Sequence, residues 1–117
     1  SEMFAASVSV IIGGKILQQG FQRVGQKRGN NYFTNQYRNG LNTGIITQVH
    51  FKGDLIEVFF KLQLHNQFVT DSQKNIINDE YSRLFANIMS DIQSKIDSGD
   101  FSHLDRNLKL NYHVDKL

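Results

Sequence analysis

Apolar and polar residues alternate in two runs between residues 44 and 64, with Lys52-Gly53-Asp54 between the runs. Such alternation is typical of strands that bury one face, and Gly-Asp suits a two-residue hairpin turn. The sequence therefore predicts a β-hairpin with one apolar and one largely polar face. The predicted pairs are Phe51 with Ile56, Val49 with Val58, Thr47 with Phe60 and Ile45 with Leu62 on the apolar face, and His50 with Glu57, Gln48 with Phe59 and Ile46 with Lys61 on the other.

A long helix is predicted after this hairpin. Thr70 and Gln73 have the spacing of a capping box, in which each side chain accepts a hydrogen bond from the other residue's backbone N–H. Apolar residues then recur every three or four positions from Ile77 to Ile96, which is typical of one buried helical face, and Gly99 can end the helix. We expect a helix over residues 71–98, about 40 Å long.

Two flanking segments are interpreted as further strands. Residues 108–115 alternate strictly. Residues 4–12 are rich in β-branched side chains and form the first strand of a hairpin, with Gly13-Gly14 as its turn and Lys15 to about Gly25 as its return strand. The chain is thus predicted to be a single α+β domain over residues 1–117. Its antiparallel sheet of about five strands, two hairpins plus a C-terminal strand, is covered on one face by the long helix.

Composition narrows the class of protein. The 117 residues include no Cys, so disulfide scaffolds and thiolate metal sites are excluded. No two His residues have the spacing of a metal-binding pair, and no catalytic motif is present, so we expect no metal, no cofactor and no enzyme activity. No apolar run is long enough to span a bilayer, which favours a soluble cytoplasmic protein without a membrane partner. The four histidines are His50, His65, His103 and His113.

The net charge of +2 conceals a strong asymmetry along the chain. The first 53 residues hold six Lys and Arg residues against the single acid Glu2, whereas the remaining 64 hold seven bases and ten acids. A long acid-free stretch lacks the carboxylates that would repel a polyanion. The charge pattern therefore points to residues 23–52 as a region that binds phosphate groups.

Residues 25–44 combine Gly, Asn, cations and aromatic rings, and are interpreted as a loop that binds nucleic acid. Aromatic rings can stack on bases while Lys and Arg neutralise phosphates. The outer face of the middle hairpin, with Ile46, His50 and Phe59, can extend this surface. The alternative is a solvated loop with a short strand at residues 32–37 whose aromatic side chains enter the core. The candidate nucleic-acid-binding residues are Arg23, Lys27, Arg28, Tyr32, Phe33, Tyr37, Arg38, Lys52, Phe59 and Lys61.

These features predict a small non-enzymatic protein that binds single-stranded DNA or RNA. The long helix carries more acids than bases and does not suit a DNA major groove. Several strands followed by a helix over the sheet also resemble the architecture of whirly-type single-strand binders. The alternative is a protein-interaction module, such as a chaperone, adaptor or oligomeric structural subunit, that uses the uncovered sheet face. Because that face would otherwise stay uncovered, we also expect a homo-oligomer.

Overall fold

The structure, a computed structural model, describes residues 2–40, 42–66, 68–101 and 107–117. Its five strands form one sheet in the order β1-β2-β3-β4-β5, which confirms the predicted α+β class and strand number. The elements are helix α1 (Glu2–Gln18), strands β1 (Gln22–Arg28), β2 (Tyr32–Asn39), β3 (Thr43–Lys52) and β4 (Leu55–Leu64), helix α2 (Asp71–Asp97) and strand β5 (Lys109–Asp115).

The predicted N-terminal hairpin is wrong, because residues 2–18 form helix α1. Phe4, Val8, Ile12 and Ile16 recur every four residues and are fully buried, so they make one face of a helix. Burial of this face outweighs the modest helix propensity of the β-branched residues. Gly13 and Gly14 accordingly lie inside the helix and form no turn.

The expected loop at residues 25–44 is also wrong, because most of it is strand. Strands β1 and β2 pair antiparallel from Gln22↔Arg38 to Arg28↔Phe33, with a register shift between Arg23 and Gly25. All seven β1 residues are exposed or partly exposed, so this polar edge strand lacks the alternation by which sequence patterns reveal strands. Leu41, within this segment, lies outside the described residues.

The middle hairpin and the long helix are confirmed. All seven predicted pairs of β3 and β4 are present, and the turn glycine Gly53 has a φ of 65°. At the start of α2, Thr70 Oγ1 accepts from the Gln73 backbone N–H at 3.2 Å, and Gln73 Oε1 accepts from the Thr70 N–H at 3.0 Å. Gly99, with a φ of 84°, follows the helix as predicted.

Strand β5 is confirmed, but it runs parallel to β4 in a sheet that was predicted to be antiparallel throughout. The 27-residue helix α2 carries the chain back along the sheet, so the next strand starts near the beginning of β4 and runs in the same direction. Phe59 is therefore paired with His113 across this edge of the sheet.

Both helices cover the same face of the sheet, where the sequence predicted one. Helix α1 packs on β2 and β3, and α2 contributes Phe85, whose ring stacks on Phe60 at 4.2 Å between centroids. Lys15 Nζ of α1 and Asp91 Oδ2 of α2 lie 2.9 Å apart and join the helices. No helix covers the opposite face in the part of the chain that the structure describes, and we call it the outer face.

Candidate nucleic-acid interface

Four aromatic side chains form a continuous row across the outer face. Because side chains alternate between the two faces of a strand, the strand register places Tyr32, His50, Phe59 and His113 outward, on β2, β3, β4 and β5. The ring centroids of Tyr32 and His50 lie 5.9 Å apart, those of His50 and Phe59 5.5 Å, and those of Phe59 and His113 5.0 Å. We call this row the aromatic strip.

The strip presents ring surface to solvent. Phe59 is 37% exposed, His113 is exposed, and Tyr32 and His50 are half-buried. A neighbouring hollow of about 520 Å³ is lined by His50 and Phe59 together with the amides of Asn31 and Gln48. The strip therefore combines flat aromatic rings with amide groups that can hydrogen-bond to the edges of bases.

Cations outnumber carboxylates among the outward side chains of the strands. Glu57 and Asp115 are the carboxylates, and Glu57 Oε2 lies 3.3 Å from His113 Nε2. In addition, the buried Nε atom of Arg38 has no hydrogen-bond partner among the described residues. An anion above this face therefore meets a positive surface. By register, the outward cations are Lys27, Arg38, Lys52, Lys61 and Lys109.

Phe33 and Tyr37 do not belong to this surface. They are only 7% and 3% exposed, on the face that packs on α1, so neither ring can receive a base and their predicted stacking role does not fit the structure. For these two residues the structure agrees with the alternative prediction, in which aromatic side chains of residues 32–37 enter the core, whereas Tyr32 lies on the outer face. Burial also raises the pKa of the Tyr37 hydroxyl, although the charge of Arg23 and a hydrogen bond to Thr47 oppose the shift.

The ten predicted residues are thus divided between the two faces of the sheet. Tyr32, Phe59 and the cations Lys27, Arg38, Lys52 and Lys61 lie on the outer face. Arg23 and Arg28 lie beside Tyr37 and Phe33 on the helix side, and the Arg28 guanidinium carbon is 5.0 Å from the centre of the Phe33 ring.

Sequence reasoning missed His113 as a member of the site. The alternation of residues 108–115 correctly placed His113 on the polar face of the last strand, but no sequence signal showed that this strand lies beside Phe59. The parallel pairing of β4 and β5 depends on the path of α2, which brings the two rings to a nearly parallel stack with an interplanar angle of 17°.

Other kinds of site find little support in the described part of the chain. No three His, Asp or Glu side chains among those residues lie close enough to hold a metal ion, and His103 is outside them. Neither helix, within the same residues, is both long and apolar enough to cross a membrane.

Comparison of the chain with models of protein families, with curated proteins and with solved structures found no match. The architectural resemblance to whirly-type binders therefore gains no support.

Proposed function

We propose that the protein binds single-stranded DNA or RNA on the outer face of its sheet. The observation that carries this proposal is the aromatic strip, in which four rings from four adjacent strands follow one another at 5.0–5.9 Å. Stacking of one base on an aromatic side chain is worth about 1–3 kcal/mol and tolerates any base, because every base has a π face.

The charges support the same ligand. Lys52 and Lys61 are exposed at the two sides of the strip, where they can neutralise phosphates as bases stack between them. A paired duplex would keep its bases inside and leave the rings unused, whereas a single strand can turn its bases onto them. Helix α2, with five acids and three bases, is unsuited to a duplex groove.

The test is fluorescence anisotropy with labelled oligothymidylate and oligouridylate at two salt concentrations. The logarithm of affinity is expected to fall with that of salt concentration, with a slope of roughly −0.7 for each phosphate contact. Phe59→Ala is expected to weaken binding by about five- to 150-fold, since that corresponds to the stacking energy of one base. Absence of binding at low salt would contradict the proposal.

Matched controls separate the outer face from the rest of the surface. Phe68 is 84% exposed and lies beyond the sheet, so Phe68→Ala removes an equally large exposed ring away from the strip and should leave affinity unchanged. Lys52→Glu with Lys61→Glu should abolish binding at moderate salt. The same reversal at Lys74 and Lys95 on α2 should have little effect, and equal loss from both pairs would indicate nonspecific attraction only.

The competing use of the outer face is contact with a second copy of the chain or with another protein. The half-buried Ile46 and the exposed Phe59 would favour such a contact. Homo-oligomer formation stays a prediction. Sedimentation velocity over a range of protein concentrations measures the oligomeric state and tests it. A dimer that Phe59→Glu converts to monomers, without any oligonucleotide binding, would assign the face to protein interaction.

A further inference from the structure

A cleft of about 390 Å³ opens on the helix side of the sheet, away from the aromatic strip. Helix α1 forms one wall, and the inward side chains of the edge strands β1 and β2 form the floor. Its volume falls at the lower end of the range of small-molecule sites, which is about 300–1,000 Å³. The nucleic-acid proposal makes no use of this cleft.

The wall formed by α1 is aliphatic and incompletely covered. Val10 and Leu17 line the cleft, yet they are 74% and 47% exposed. Gly14 lies between them on the same side of the helix, and a Cβ atom added there would meet no atom within 4 Å. An aliphatic chain lying on this wall would remove two large apolar side chains from water.

The floor of the cleft is cationic. Arg23 and Arg28, whose side chains lie on the helix side of β1, line it, and none of the lining residues, all of which the structure describes, is acidic. Arg23 and Arg28 are paired in register with Tyr37 and Phe33, the inward residues on either side of Asn35. A guanidinium group binds a carboxylate through two parallel hydrogen bonds, so the floor favours a carboxylate-bearing ligand.

Asn35 supplies an unused hydrogen-bond acceptor in the middle of the floor. The residue is only 6% exposed, and its Nδ2 donates to Ser9 Oγ at 3.1 Å. Its Oδ1 is buried and has no partner among the described residues. Buried polar atoms are nearly always paired, so this oxygen is expected to accept a hydrogen bond from water or from a bound molecule.

We propose that the cleft binds a small amphiphilic carboxylate that carries a hydroxyl or amide N–H a few bonds from its acid group. The aliphatic chain lies on Val10 and Leu17, and the carboxylate binds the guanidinium group of Arg23. The ligand's donor binds Asn35 Oδ1. Adjacent inward residues of a strand lie about 7 Å apart, so a donor close to the carboxylate can reach Asn35 while the acid remains on an arginine.

Calorimetric titration of the full chain with three monomeric probes tests this arrangement. β-Hydroxydecanoate is expected to bind about three- to tenfold more tightly than decanoate, because it adds one hydrogen bond to Asn35. Decanol, which lacks the charge, is expected to bind at least roughly tenfold more weakly than decanoate. Asn35→Ala should abolish the preference for the hydroxylated probe, and Arg23→Ala should reduce the preference for decanoate over decanol.

Gly14→Leu provides a blocking variant that does not depend on removing a buried group. The new side chain enters the open space of the cleft, so β-hydroxydecanoate binding should be lost while the melting temperature is kept or raised. Gln18→Leu adds the same side chain to an exposed position of α1 that does not line the cleft, and should leave binding intact.

Three results would overturn the proposal. The first is that no probe binds, which would mean that water or nothing pairs with Asn35. The second is binding that Gly14→Leu leaves unchanged, which would place the probe elsewhere. The third is retention on vesicles of anionic lipid without binding of the monomeric probes, which would identify a membrane-contact surface. Oligonucleotide binding by Gly14→Leu should remain normal, so failure here is separable from failure of the nucleic-acid proposal.

Discussion

The two adjacent glycines of helix α1 are predicted to respond in opposite ways to the same substitution. Gly13 and Gly14 both lie inside the helix, where alanine is intrinsically better than glycine by about 0.8–1 kcal/mol. Their surroundings differ. A Cβ atom at Gly14 meets nothing within 4 Å, whereas one at Gly13 lies 2.7 Å from the Tyr37 hydroxyl oxygen.

The size of each effect follows from these surroundings. Gly14→Ala should gain the full difference in helix propensity, about 1 kcal/mol, which corresponds to roughly 4 °C in melting temperature for a chain of this size. Gly13→Ala gains the same propensity, but its new Cβ atom contacts the Tyr37 side chain. That side chain is only 3% exposed, and its hydroxyl is hydrogen-bonded to Thr47, so it has little room to move. Overpacking of this kind costs about 1–3 kcal/mol, so we expect a net loss of about 1 kcal/mol.

Urea unfolding monitored by circular dichroism gives the free energy of unfolding of both variants, and the two values are expected to differ by about 2 kcal/mol. Tyr37→Phe supplies the control, because the atom nearest to the new Cβ then becomes the ring carbon at 3.8 Å, an ordinary contact. In that background Gly13→Ala should become neutral or stabilising. Equal stability of Gly13→Ala and Gly14→Ala in the wild-type background would refute the packing of α1 on Tyr37.

Three further predictions concern the ends and contacts of the helices. Thr70→Ala should destabilise the fold by about 1 kcal/mol in urea unfolding, since it removes the capping box of α2, whereas Thr70→Ser should change little. Asn78→Ala should cost about 1–3 kcal/mol and speed hydrogen exchange at Leu117, because buried Asn78 accepts from the Leu117 N–H at 2.8 Å and donates to its carbonyl at 3.3 Å. The hydrogen bond and charge of Lys15 hold the pKa of Asp91 below its usual value of 3.8. Lys15→Met should therefore destabilise the fold at neutral pH, and this loss of stability should vanish as pH falls below that value, because the protonated Asp91 no longer pairs with Lys15. A difference in stability between the wild type and Lys15→Met that persists in acid would contradict this ion pair.

The parts of the fold that were predictable are those in which two independent signals agree. Residues 44–64 combine period-two alternation with a Gly-Asp turn, and together these determine the register of the hairpin residue by residue. Helix α2 combines the Thr70 capping box, a long apolar face and Gly99. In both segments, local preference and burial favour the same structure.

The predictions failed where the local pattern was misleading or absent. Residues 4–12 have a strand-like composition. The four-residue spacing of Phe4, Val8, Ile12 and Ile16 indicates a helical face instead, and it is the stronger signal. Strand β1 is polar on both sides because it lies at the sheet edge, so no alternation identifies it. The place of β5 beside β4 depends on how α2 crosses the sheet, which no local pattern encodes.

The same physics explains why only part of the candidate site was predictable. The acid-free stretch of the sequence was interpreted as one surface, but residues 22–52 form strands β1, β2 and β3, whose side chains alternate between two faces. Alternation sends Arg23 and Arg28 to the cleft, and Arg38 and Lys52 to the outer face. The single charge asymmetry of the chain therefore supplies two positive surfaces on opposite sides of one sheet. It follows that charge reversal at Lys52 should weaken oligonucleotide binding alone. Charge reversal at Arg23 should weaken carboxylate binding alone. If either variant lost both activities, a single continuous anion-binding surface would be the better account.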